Sequence, residues 1–271
     1  MDKAIIVDHL SCDDKLKDVT FTIQKGEFVG IIGAEDSGKE LLLDIISGFS
    51  KPTSGFVSVL GYDPLLRNND FLKQIAFIDN NKRQLLQNLP AIDILEITKT
   101  IYGLTNRDFH RNLSELAQSI NDPYILDNII YKPKILLINN LESNLDPIYE
   151  FNKNNESTSI FVTDKFDKLV DFVRRVIILD KGQILFDGAI DEIISKFAKE
   201  KIIKAKLSSP IDKGQLTDLG QLKKYVYPYI YLSSPRSVIS FTAAEMLQNL
   251  PVVSLNIEEP NIEEIIEKIK R

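Results

Sequence analysis

The sequence has 271 residues, 44% hydrophobic and 27% charged, enough to bury the core of one large domain or two smaller ones. Lys plus Arg numbers 33 against 39 Asp plus Glu, a net charge of −6 that argues against a nucleic-acid partner. The single Cys12 excludes an intrachain disulfide, no apolar run reaches membrane-spanning length, and "MDKAIIVDHL" does not read as a signal peptide.

In chain order, apolar patterning predicts strands at Ala4 to Val7 and Val19 to Ile23. After the turn "QKG", Phe28 to Ile32 reads as a continuous apolar strand with both faces covered. Glu40 to Ile46 is helical, "KPTSG" is a turn, and strands follow at "FVSVLG" and Ile75 to Ile78. Helices are expected at Ile92 to Tyr102 and Arg107 to Ile120, the second stopped by Pro123. Strands are expected at Ile135 to Ile138, Ser159 to Thr163 and Val176 to Leu179, with helical Asp167 to Arg174 between the last two. "DKGQILFDG" reads as a hairpin with Gly182 in its turn, and Ala189 to Lys199 as a helix. Strands alternating with helices imply an α/β layered fold over residues 1–199. Residues 200–271 change character, with short strands expected at Ile202 to Leu207, Tyr225 to Leu232 and Val238 to Phe241. Pro260 and an Asn261/Glu264 capping box start a final helix, which makes this end a small α+β extension.

The chemistry gathers in "FVGIIGAEDSGKELLLDIISG". Gly33, Gly38 and Lys39 make the G-x-x-x-x-G-K pattern between a strand and a helix, where backbone N–H groups and a lysine suit phosphate. Glu35, Asp36 and Glu40 put carboxylates in or beside that loop. A unit charge pair about 5 Å apart at an effective dielectric near 20 interacts by roughly 3 kcal/mol. Such repulsions offset much of what Lys39 contributes, unless the carboxylates point to solvent. If position 36 needs positive φ, Asp36 carries a conformational cost as well.

These segments together resemble the ATPase subunit of ABC transporters. "LKDVTFTIQKGEFVGIIG", "SGKELLLDIISGFSKPTSGFVSVLGYDP", "KPKILLINNLESNLDP" and "RRVIILDKGQILFDG" follow the family's order. "VVSLNIEEPNIEEIIEKI" resembles the C-terminal extension of some bacterial exporter ATPases. The resemblance implies a P-loop NTPase core with a parallel sheet, an antiparallel β region and a helical subdomain, here shortened. It also implies ATP and Mg2+ as ligands, a membrane permease as partner, homodimers or heterodimers with another such ATPase subunit, and a cytoplasmic location at the inner face of the membrane. By that resemblance Gly33, Ala34, Glu35, Asp36, Ser37, Gly38, Lys39, Glu40 and Leu41 form the nucleotide loop, and Ser143, Asn144, Leu145 and Asp146 the D-loop.

The departures from the family pattern carry the functional expectation. Glu40 stands where a hydroxyl ordinarily ligates magnesium. Asn139 and Asn140 replace the Asp-Glu pair that ends the Ile135 to Ile138 strand, and Asn cannot accept a proton as a general base. Asp164 stands at the switch-histidine position, Asn80 aligns with the usual glutamine, and "SCDDK" offers no adenine-stacking aromatic. The Ser-Gly-Gly-Gln-type loop is missing, since "LAQSINDPYILDNII" contains no glycine. No catalytic residue and no metal site is assigned, and ATP and Mg2+ binding is in doubt. His110 and His9 carry no assigned role. Two readings stay open for a transporter subunit: one that has lost hydrolysis and serves a permease or an active ATPase structurally, and an active ATPase with unusual site chemistry that powers export. A P-loop module outside transport is the third, and the exporter-like ending argues against it. The transported substrate is not written in the sequence.

Overall fold

A computed structural model describes residues 2–79, 89–141, 144–165, 169–216 and 219–260. Two compact units follow one another along the chain, Met1–Gly188 and Ala189–Arg271. The first runs β1 (Lys3–Cys12), β2 (Leu16–Gln24), β3 (Phe28–Ile32), α1 (Lys39–Ser47), β4 (Ser54–Val59), α2 (Asn69–Leu72), β5 (Ile75–Asp79), α3 (Ala91–Tyr102) and α4 (Asn106–Leu116). It continues with α5 (Pro123–Ile129), β6 (Ile135–Asn139), α6 (Asp146–Asn155), β7 (Thr158–Thr163), β8 (Arg175–Asp180) and β9 (Gln183–Ala189).

β2, β1 and β4 form an antiparallel sheet in that order. The second sheet has the order β5-β6-β7-β3-β8-β9, and β5, β6, β7, β3 and β8 run parallel. Every residue of β3, β6 and β7 is buried, as expected of central strands in a parallel sheet covered on both faces. Register brings their carboxyl ends level: Asp79 pairs with Asn139, Asn139 with Val162, and Thr163 with Ile32. β3 lies between β7 and β8, so the connections diverge there, and the crevice of an open α/β sheet forms at such a point. α1 buries Leu42, Leu43, Ile45 and Ile46 in the core with Val29, Ile31, Leu137 and Val162.

The helical region is joined to the sheet by polar contacts. The Tyr131 hydroxyl donates to the Ile75 carbonyl at 2.9 Å, and its ring stacks on Tyr102 with centroids 3.5 Å apart. The Thr98 hydroxyl donates to the buried Asp127 carboxylate. Burial raises the Asp127 pKa, with the Thr98 hydrogen bond partly opposing it. Burial likewise pushes the Tyr131 phenol well above its ordinary range.

The hairpin expected at "DKGQILFDG" is present as β8–β9, with Lys181 at φ 47° and Gly182 at φ 81° in its turn. Arg175 fastens it: its guanidinium grips Asp187 through two bonds of 2.7 and 2.8 Å and also donates to the Thr22 carbonyl at 2.8 Å.

The second unit contains α7 (Ile190–Phe197), β10 (Glu200–Leu207), β11 (Gln221–Val226), β12 (Tyr229–Pro235), α8 (Ile239–Asn249) and β13 (Val252–Glu258). Its antiparallel sheet has the order β11-β12-β10-β13. Ile203, Ala205, Leu207, Ile230 and Leu232 share one core with Ile239, Ala243 and Met246 of α8.

Several expected elements differ. Val238 to Phe241 is the start of α8 rather than a strand, because the buried residues Ile239, Thr242, Ala243 and Met246 recur at helical spacing. Tyr225 to Leu232 is not one strand but the end of β11, a turn at Tyr227 and Pro228, and the start of β12, since proline cannot donate to a ladder. Residues 169–174 form turns instead of a helix, with Phe172 and Val173 N–H groups both on the Leu169 carbonyl. α5 and α6 were not foreseen, although both start with Pro in the first turn. The helix expected from Asn261 lies outside the described residues.

Arg175→Ala is expected to lower unfolding stability by about 2 kcal/mol in urea titration, with Lys restoring less than half of it, because only the guanidinium fork satisfies the carboxylate and the carbonyl together. Asp127 holds a raised pKa in the folded state, so its contribution is full at low pH and is lost as pH rises through that raised value. Asp127→Asn removes this loss, and the melting-temperature difference between variant and wild type is therefore expected to grow in the variant's favour as pH rises.

Candidate functional site

The loop at residues 33–38 leaves the buried end of β3 and enters α1. Its path requires glycine at both ends. A Cβ at Gly33 would lie 2.2 Å from Ser37 Oγ and 2.6 Å from the Leu179 carbonyl oxygen. Gly38 has φ 90°, and a Cβ there would lie 2.6 Å from the Lys15 carbonyl oxygen. The Ser37 N–H donates back to the Ala34 carbonyl at 3.0 Å, and the Gly182 N–H donates to the Ser37 carbonyl at 3.0 Å. The β1–β2 turn and the β8–β9 turn therefore both hold the loop in shape.

Lys39 does not extend into open space. Its side chain is 1% exposed, its ammonium donates to the Ala34 carbonyl at 3.0 Å, and it pairs with Glu40 Oε1 at 2.8 Å. A buried ammonium needs such a counter-charge, because leaving it unpaired costs several kcal/mol. Glu40 thus acts on the loop first by occupying its cation, an effect distinct from repelling phosphate. Glu35 and Asp36 are exposed, and neither adopts positive φ, so the conformational cost anticipated at position 36 does not arise. Leu41 is half-buried against the core.

The sheet brings other sequence-selected residues to the same edge. Asn139 ends β6, is buried, and its Oδ1 has no hydrogen-bond partner; the same holds for Ser37 Oγ. Asn140 follows at φ 44°, a left-handed conformation that Asn tolerates, and its N–H donates to the Val162 carbonyl at 2.9 Å. Asp164 is exposed directly after β7. Asn144 and Asp146 are exposed at the start of α6, where the Asn144 side chain accepts from the Asp146 N–H at 3.1 Å, and Leu145 is buried. Asn80 and Ser143 lie outside the described residues. In place of a glycine loop, α5 opens on Asp122, whose carboxylate accepts from the Tyr124 N–H, with Pro123 in the first turn.

Two residues of the site neighbourhood escaped sequence reasoning. The Tyr124 hydroxyl exchanges hydrogen bonds of 3.1 Å with the backbone N–H and carbonyl of Asp79, tying α5 to the end of β5. Nothing in local sequence marks a contact across 45 positions. His9 and His110 are both exposed, and His9 is tied to Asp18 at 2.7 Å, which raises its pKa. Among the described residues no cluster of His, Cys, Asp or Glu could hold a metal ion.

A glycine-bounded loop between a buried parallel strand and a helix, at the diverging point of the sheet, defines a P-loop nucleotide-binding domain. The ABC transporter family model matches residues 16–138 of this chain. It is similar to the energy-coupling factor transporter ATP-binding protein EcfA2 of Acetivibrio thermocellus, with 28% identity over 79% of this chain and 85% of that protein. The molybdate/tungstate import ATP-binding protein WtpC of Thermococcus kodakarensis is 24% identical over 74% of this chain and 69% of that protein. Among solved structures, an ATP-binding subunit of an ABC transporter superposes with TM-score 0.63 at 20% identity, covering 72% of this chain and 93% of that one. A nucleotide-free ATP-binding cassette gives TM-score 0.59 at 16% identity, over 71% of this chain and 94% of that one. These likenesses bear out the α/β P-loop fold.

The family implies ATP and Mg2+. The residues present fit them poorly: the loop's lysine is already paired with Glu40, and the end of β6 carries the amides of Asn139 and Asn140 rather than carboxylates.

Gly38→Ala is expected to destabilise the first unit by about 2 kcal/mol or more in denaturant unfolding, since positive φ and the clash with the Lys15 carbonyl add.

Proposed function

We propose that this ABC-type subunit has lost ATP hydrolysis and serves a membrane permease, an active ATPase subunit, or both, as a structural or regulatory partner. The observation that carries this reading is the Lys39–Glu40 ion pair. To receive a triphosphate, Lys39 must give up a 2.8 Å contact with a carboxylate that stays within reach of the incoming phosphates. Asn139 and Asn140 add to it, because an amide at either position can neither take a proton from an attacking water nor hold magnesium with the charge of a carboxylate.

The pairing model follows from the resemblance. Each nucleotide in a family dimer lies between one subunit's P-loop and the other's glycine-rich signature. This chain compromises the first and replaces the second with the capped α5, so even an intact partner completes neither composite site. The D-loop-like Asn144, Leu145 and Asp146 remain as dimer-contact residues in this reading, and residues 189–271 as an appended α+β domain.

A permease partner is supported by a groove of about 490 Å³ in the first unit. Phe49, Arg67, Phe77, Ile101, Tyr102 and Tyr131 line it, and Phe49 and Ile101 are 54% and 66% exposed. That much apolar surface beside a guanidinium suits a short amphipathic segment. Among the described residues no helix is long and apolar enough to cross a membrane, so attachment to a permease would provide the membrane location.

The purified chain is expected to release no phosphate from ATP above the blank. Steady hydrolysis that Lys39→Ala abolishes would overturn the proposal. Glu40→Ser frees Lys39, and a fluorescent ATP analogue is expected to bind that variant at least tenfold more tightly than wild type when magnesium is present. Equal affinities would show that the ion pair does not oppose phosphate.

A further inference from the structure

The second unit's sheet has one covered face and one open face. Ile203, Ala205, Leu207, Ile230 and Leu232 point to the covered side, into the core with α8. Strand alternation sends the intervening residues to the other side. There, register builds two rows across all four strands. One row is Asn256, Lys204, Tyr231 and Lys224; the next is Ser254, Lys206, Tyr229 and Val226. Two tyrosines stand at i and i+2 on a central strand, with lysines on the strands to either side. Lys204 Nζ lies 5.7 Å from the Tyr231 ring centre and 5.8 Å from that of Tyr229. Neither row holds a carboxylate; Glu258 belongs to the row beyond, opposite Ile202. Tyr229, Val226, Lys206 and Lys224 are exposed.

We propose that this open face binds single-stranded nucleic acid. Two rings on one strand, about 7 Å apart, present stacking surfaces to two successive bases of an extended strand. The three ammoniums flank the rings, where phosphates of the same strand would pass. Ser254 and Asn256 close the rows with hydrogen-bonding groups for base edges. A face that entered a lipid surface would instead need apolar side chains along its rim, whereas these rows end in Asn256 and Ser254 on β13 and in Lys224 and Val226 on β11, a single apolar residue among four. The chain's negative charge does not oppose this. The acidic surplus lies in residues 1–188, whereas acidic and basic residues nearly balance from position 189 onward.

The test is fluorescence anisotropy of the full-length chain with a labelled ten-nucleotide oligothymidine and an oligouridine, at low and physiological salt. Binding is expected for one or both, weakening as salt rises. Tyr229→Ala and Tyr231→Ala are each expected to weaken it about tenfold. Tyr229→Phe should retain it, because the ring carries the stacking. Lys204→Gln with Lys206→Gln should flatten the salt dependence. Lys39→Ala should leave it unchanged, which separates this face from the P-loop. Absence of binding at low salt overturns the proposal. So does binding that survives the double tyrosine variant, binding of a duplex with equal affinity, or a tyrosine-dependent attachment to phosphatidylserine vesicles with no oligonucleotide binding.

Discussion

Burying a lysine ammonium obliges a protein to supply a counter-charge, and much of the site follows from how this chain meets that obligation. Lys39 is inside the molecule because the loop before it is pinned by backbone contacts from two separate turns. Its partners are the carbonyl of Ala34 and the carboxylate of the next residue. The charge is therefore satisfied within seven residues of sequence. The cradle keeps its shape, while the cation that would receive phosphate is already engaged.

The parallel sheet extends this local arrangement to a whole edge. Register sets the ends of β3, β5, β6 and β7 level, so the described residues that follow β3, β6 and β7 leave the sheet into one crevice. Here that crevice receives Asn139, Asn140 and Asp164. The change at any one position would be tolerable in a loop. Because the sheet makes the loops neighbours, their chemistry combines, and the proposed loss of hydrolysis belongs to the edge as a unit. Ser37 and Asn139 each keep a buried oxygen without a hydrogen-bond partner there, at a cost to stability that buried polar groups rarely carry.

Much of the fold is legible in the chain because its strands carry continuous or alternating apolar residues and are separated by strong turns. Phe28–Ile32 coincides with its expected bounds, and the Lys181–Gly182 hairpin turn follows from the backbone freedom that its glycine supplies. Reading failed where local preference and tertiary burial disagree. Val238 and Ile239 favour strand by their β-branches, yet α8 forms because Ile239, Ala243 and Met246 have a sheet to cover. The turn at Tyr227 and Pro228 was hidden inside an aromatic run. α6 is polar enough to conceal its period, although Ile148 and Phe151 are buried on one side of it.

The sequence by itself determined the strands of residues 1–188, the glycine positions of the loop and the residue types at the sheet edge, because backbone freedom and side-chain chemistry are local properties. It placed three carboxylates near one lysine without distinguishing their effects. Only the tertiary structure decided that Glu35 and Asp36 face solvent while Glu40 holds Lys39, since that outcome depends on which way a pinned loop turns its side chains. It alone also set Tyr229 and Tyr231 among lysines from other strands. Cross-strand register joins residues far apart in the chain, and no local pattern encodes that register.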